Sequence, residues 1–117
     1  MHALIIEPQG LISVTIEDEL RELGFSSFDS AFTQDSAIQA AERRRPDLIT
    51  TSLRLVRGDG VSAVRAICAE EGVPTVLIVS DAVEAKNLID GAPIVTKPMK
   101  RDSLRAAVYQ AIHNPQT

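Results

Sequence analysis

A chain of 117 residues, 44% of them hydrophobic, can bury one core of ordinary size, and a single domain is expected over 1–117, packed from about 3 to 112 with a frayed C-terminal tail. A net charge of −4 and an aromatic content of 3% leave neither a basic footprint nor stacking platforms, so nucleic acid is excluded as an expected partner. Cys68 is the only cysteine, which rules out an internal disulfide, and no apolar run approaches a membrane span, so a reducing, cytoplasmic setting away from the membrane is expected.

In chain order, "ALII" reads as a first strand. Ile12, Ile16, Leu20 and Leu23 then recur at helical spacing up to Gly24, a left-handed cap. "SSFDSAF" is a weak second strand, followed by a helix that carries Ile38 and Ala41 and stops before Pro46. The basic run Arg43 to Arg45 falls at its carbonyl end, where cations complement the macrodipole. "DLITTS" is the third strand. A third helix runs from about Val61 through Val64, Ile67 and Cys68 to Gly72, with Asp59 as N-cap and Cys68 as a small core residue. After the fourth strand, "TVLIVS", Asp81 and Glu84 have the spacing of a capping box, which predicts a short helix from Ala82 to about Asp90, before Gly91. "PIVT" is the fifth strand. Leu104, Ala107, Val108, Ala111 and Ile112 form the stripe of a last helix, and "HNPQT" frays beyond it. His2 and His113 are expected on the solvated surface. Tyr109 reads either as a rim contact or as partly buried against the sheet edge.

Short β-branched runs alternating with amphipathic stretches predict an α/β protein with a doubly wound parallel sheet of five strands. Such sheets gather their chemistry in the crevice beyond the strands' C-terminal ends. The candidate residues are therefore Glu7 and Pro8 after the first strand, Ser52 after the third, Ser80 after the fourth, and Lys97 with Pro98 after the fifth. "EPQG" offers one glycine and a proline without an N–H, so no phosphate-cradling loop follows the first strand and a nucleotide is not expected.

These four strand ends, "LIIEPQ", "PDLITTSLRLVRGDG", "TVLIVSD" and "TKPM", make the chain resemble the response-regulator receiver domain of bacterial two-component signalling from about Ala3 to Ile112. "APIVTKP" further resembles receivers of general stress signalling in some bacteria. The resemblance implies a flavodoxin-like (βα)5 fold with strand order 2-1-3-4-5. It also implies a phosphorelay chemistry in which an Asp carboxylate takes a phosphoryl group from phospho-His. Mg²⁺ is held there by an acidic pair, a lysine meets the phosphate, and a Thr or Ser hydroxyl follows it. By register the nucleophile's position is Ser52. Glu7 keeps one acidic site and Pro8 occupies the other, while Ser80 and Lys97 are retained. The aromatic switch position is Ile94, and Lys97-Pro98 is expected to be a cis peptide.

With three carboxylates reduced to Glu7 facing Lys97, the pocket's formal charge is near zero, so Mg²⁺ binding is expected to be lost and no other cofactor is implied. A serine hydroxyl needs a base where a carboxylate needs none, so Ser52 is not expected to replace the acceptor. Thr50, Thr51 and Ser52 are expected to satisfy one another, the backbone or water. The expectation is a pseudo-receiver without enzymatic activity. It would bind a protein partner (a histidine kinase, a regulator or an output protein) through the face of the fourth helix, fifth strand and fifth helix, where a homodimer is a further option. The alternative is an active phosphoacceptor that uses a non-standard residue such as Ser52 or Asp59, although Asp59 and Asp81 both stand where helix caps belong.

Overall fold

Five parallel strands form one sheet in the order β2-β1-β3-β4-β5 in the computed structural model, which describes residues 1–113. The strands are β1 (His2–Ile6), β2 (Ser27–Ala31), β3 (Leu48–Thr51), β4 (Thr75–Val79) and β5 (Ile94–Thr96). The helices between and after them are α1 (Gly10–Glu22), α2 (Gln34–Arg43), α3 (Gly60–Ile67), α4 (Ala82–Ala85) and α5 (Arg101–His113). This is the flavodoxin-like architecture expected. The tail beyond His113 lies outside the described residues. Among these residues no helix is long and apolar enough to cross a membrane.

Side chains alternate across the sheet and so build a core on each face. Ala3, Ile5, Leu48, Val76 and Ile78 pack with Ile16 and Leu20 of α1 and with Leu104 and Val108 of α5. Leu4, Ile6 and Ile49 pack with the alanines of α2 and with Ala63, Val64 and Ile67 of α3. β1, β3 and β4 are buried along their whole length, which is why β1 and β4 read as nearly unbroken apolar runs, while β3 passes from Leu48 and Ile49 to two threonines. β2 lies at the sheet edge and is only half-buried, so its sequence is mixed.

Several local expectations are corrected. His2 is not on the surface: it is 4% exposed, with Nδ1 2.8 Å from Ser27 Oγ and Nε2 3.0 Å from Asp29 Oδ2. The pairing of β1 with β2 sets His2 directly beside Ser27, and neither a neutral nor a charged imidazole is left without a partner there. α3 ends at Ile67 rather than Gly72. Glu70 and Glu71 disfavour the carbonyl end of a helix, and Arg45 donates to the Ile67 carbonyl at 3.4 Å and to the Glu71 carbonyl. Arg45 thus serves the end of α3, while Arg43 is the cation in the last turn of α2. Cys68, just past the end of α3, is half-buried and packs against the α2–α3 core.

α4 is a single turn, not a helix reaching Asp90. Asp81 caps it by accepting from the Val83 N–H at 2.9 Å, but Glu84 accepts from Arg54 at 3.5 Å instead of closing the capping box. Asn87, at φ 65°, then turns the chain away. Asp59 caps α3 as expected, accepting from the Ser62 N–H at 2.8 Å. Tyr109 is 65% exposed and stacks on the exposed His113 ring with centroids 4.0 Å apart.

Candidate functional site

In this strand order the chain reverses its direction of winding between β1 and β3, and there the C-terminal ends of the two strands open a crevice. Glu7 extends the β1 ladder, its N–H donating to the Ala31 carbonyl at 3.0 Å, and the Ser52 N–H donates to the Ile6 carbonyl at 2.9 Å. The two side chains therefore meet across the strand pair. Lys97 arrives from the far side, with its N–H held by the Val79 carbonyl at 2.7 Å and a cis peptide to Pro98, as expected.

The Glu7 carboxylate is 2% exposed, so its charge needs partners. It has three. Ser52 Oγ donates to Oε1 at 2.5 Å, Lys97 Nζ lies 3.4 Å from the same oxygen, and the Gln9 N–H donates to Oε2 at 3.0 Å. A 2.5 Å separation is at the short end of the range for a hydroxyl on a carboxylate. The Glu7–Lys97 pair is expected from the sequence; the Ser52–Glu7 bond is not, because the expected strand order makes β1 and β3 neighbours without saying which acceptor the Ser52 hydroxyl takes.

The crevice has a volume of about 290 Å³ and is also lined by Pro8, Ser80, Arg54, Asp81 and Glu84. The structure thus gathers Glu7, Pro8, Ser52, Ser80 and Lys97 at one place, with the first, third and last in contact. Asp81 and Glu84 are engaged at the rim, and Asp59 is not among the lining residues. Ile94 stands apart, half-buried in a small apolar cluster with Leu77, Val79 and Ala85. Among the described residues, no group of three or more His, Cys, Asp or Glu side chains is placed to hold a metal ion.

The three hydroxyls of β3's end fare differently from one another. Ser52 binds Glu7, and Thr51 Oγ1 donates to the Ser52 carbonyl at 2.9 Å. Thr50, 1% exposed, has no protein partner for Oγ1 among the described residues. By the alternation along β3 it lies with Leu48 on the α1–α5 side of the sheet, opposite Thr51. Removing an unpartnered buried hydroxyl without changing the side chain's shape relieves a desolvation cost. Thr50→Val is accordingly expected to raise stability by about 1 kcal/mol, read as a higher urea midpoint at unchanged slope.

Glycines set the approach of β3 to α3. A Cβ on Gly60 would fall on the Ser52 carbonyl oxygen and the Thr51 hydroxyl, and the Gly60 N–H donates to the Leu53 carbonyl at 2.8 Å. The "GDG" motif was visible in the sequence; that its second glycine presses on the backbone of Ser52 was not.

Residues 3–109 match the family model of the response regulator receiver domain. The transcriptional regulatory protein PdtaR of Mycobacterium tuberculosis is 27% identical over 113 residues, which cover 93% of this chain and 55% of PdtaR. Among solved structures, the receiver domain of the PhyR response regulator of Erythrobacter litoralis is 29% identical with a TM-score of 0.86, covering 99% of this chain and 94% of that one. The receiver domain of a sensor histidine kinase from Pseudomonas aeruginosa, solved with a magnesium ion coordinated in its active-site cleft, is 29% identical with a TM-score of 0.80, covering 96% and 97%. This chain spans about half the length of the curated relative, the 55% just given.

Proposed function

We propose that this chain, which belongs to the response regulator receiver domain family, is a pseudo-receiver: a non-enzymatic, cytoplasmic signalling module that acts by protein contact without phosphorylation or Mg²⁺. The observation that carries this reading is the saturation of Glu7. The crevice's one buried carboxylate is already occupied by an ammonium, a hydroxyl and an amide N–H. Mg²⁺ demands near-octahedral oxygen ligands and gives up water reluctantly, so a single carboxylate shared with a lysine is a poor seat for it. Ser52 stands where the family's register puts the acceptor carboxylate, and Pro8 where it puts the second acid. Together they leave the pocket near neutrality and hold it in one arrangement.

The partner surface in this reading is the face of α4, β5 and α5, on which Val83 and Tyr109 are exposed by 82% and 65%. A histidine kinase, a regulator or an output protein fits it, and a second copy of this chain is a further occupant. Incubation with acetyl phosphate and millimolar Mg²⁺ tests the silent pocket. The intact mass is expected to stay unchanged, and a stoichiometric phosphoprotein would falsify the proposal. Capture of the native partner by the wild type and by Lys97→Ala then asks whether the locked pocket conditions the face.

A second reading has one observation in its favour. Ser52 Oγ is aligned on the Glu7 carboxylate at 2.5 Å, the arrangement of a hydroxyl nucleophile and its base. In that case the adduct would be a phosphoserine, stable to hydroxylamine where an acyl phosphate is cleaved, and Ser52→Ala would abolish it.

A further inference from the structure

Seven residues follow α4, Lys86 to Ala92, and two of them, Ile89 and Asp90, form one side of a groove of about 580 Å³ whose other walls include Val64, Cys68 and Val73. Their own hydrogen bonds are local turns: Lys86 N–H to the Val83 carbonyl at 3.3 Å, Leu88 N–H to Ala85 at 3.3 Å, and Ala92 N–H to Ile89 at 3.1 Å. Ala92, at the segment's β5 end, packs beside Ile94 against the cluster of Leu77 and Val79, and among the described residues two contacts hold the stretch before it to the rest of the fold. Arg65 Nη2 donates to the Leu88 carbonyl at 3.3 Å, and the Ile89 side chain packs into both the α2–α3 core and the small cluster around Leu77 and Val79. Left-handed residues stand near both ends, Asn87 at φ 65° and Gly91 at φ 75°.

We propose that Lys86 to Ala92 is a strap that lifts as a unit from the groove beneath it, with Ile89 as its plug and Arg65 as its latch. A segment with so few outside contacts opens at a small fraction of the global unfolding free energy. The strap leads directly from α4 into β5, so its opening reshapes the edge of the α4–β5–α5 face and bares Val64 and Val73 beside it. Its regulatory meaning rests on the partner face proposed above; the opening itself does not.

Cys68 lies in the groove, its Sγ 3.9 Å from the Val73 carbonyl, and it is the chain's only thiol, so it reports the opening. The measurement is the rate of modification by a bulky aromatic disulfide reagent under native conditions. Wild type is expected to react at least about a hundredfold more slowly than the urea-unfolded chain, by opening well below the global free energy. Ile89→Ala should accelerate the reaction about tenfold or more, and Arg65→Ala about threefold. Ile16→Val, which loosens the opposite core face, should leave the rate unchanged, because the opening is local. A wild-type rate equal to that of the unfolded chain would mean that nothing covers the groove. Rates that follow global stability across all three variants would mean that the thiol is reached only by unfolding. Either result overturns the strap, and neither bears on whether the crevice accepts phosphate.

Discussion

The double variant Pro8→Asp/Ser52→Asp is expected to bind Mg²⁺ more tightly than the wild type, and with it to gain phosphorylation by acetyl phosphate. The reason is electrostatic. In the wild type, Ser52 Oγ donates to Glu7 Oε1 at 2.5 Å. A carboxylate at that position becomes a like charge in contact with a buried one, and one at position 8 adds a third. Unit charges about 4 Å apart interact by about 4 kcal/mol at an effective dielectric near 20, so three carboxylates against Lys97 destabilise the empty pocket and favour a divalent cation by a comparable amount. The apo variant should therefore melt below the wild type, and millimolar Mg²⁺ should raise its melting temperature while leaving that of the wild type unchanged. The phosphoryl adduct should be labile to hydroxylamine, as an acyl phosphate is. If the variant ignores Mg²⁺, Ser52 is not at the acceptor's position and the pseudo-receiver reading loses its foundation. If the wild type responds equally, the loss of ligands is not a loss of binding.

The strands and the crevice residues at their ends were legible in the sequence because buried parallel strands write themselves as continuous β-branched runs, and the crevice is defined by where those runs stop. Glu7, Ser52, Ser80 and Lys97 each follow such a run directly. What the sequence does not display is who faces whom. His2 was read as surface because its partners, Ser27 and Asp29, come into reach only through the β1–β2 register. The hydroxyl of Ser52 was read as generically satisfied because its acceptor lies 45 residues away in sequence. Helix ends were misread for a related reason. The capping-box spacing of Asp81 and Glu84, with Gly91 beyond, reads as a helix to about Asp90, yet in the fold Ile89 is drawn across to the clusters of α3 and β4. Tertiary packing overrides the local propensity there. α3 stops early where Arg45, from beyond the end of α2, donates to the carbonyl of its last residue, Ile67.

The same dependence on long-range contact predicts the most damaging single substitution outside the crevice. Gly60→Ala changes one hydrogen to a methyl at the first residue of α3, where sequence alone would call alanine an improvement. The Cβ, however, would overlap the Ser52 carbonyl oxygen and Thr51 Oγ1 and lie 3.0 Å from the Ser52 carbonyl carbon. Backbone cannot rotate away as a flexible side chain can, so either α3 retreats, losing the 2.8 Å bond from the Gly60 N–H to the Leu53 carbonyl, or β3's end shifts and pulls Ser52 from Glu7. A cost of about 3 kcal/mol follows, at the upper end of overpacking penalties, which lowers the melting temperature by roughly 10–20 °C in a domain of this size. Gly10→Ala provides the contrast. A Cβ there meets nothing within 4 Å, so the change is expected to be neutral or to stabilise by about 0.5 kcal/mol. Thermal unfolding of the two variants side by side decides the point: equal stabilities would mean that α3 does not press on the acceptor strand, and that Ser52 owes its position to β1 and Glu7 alone.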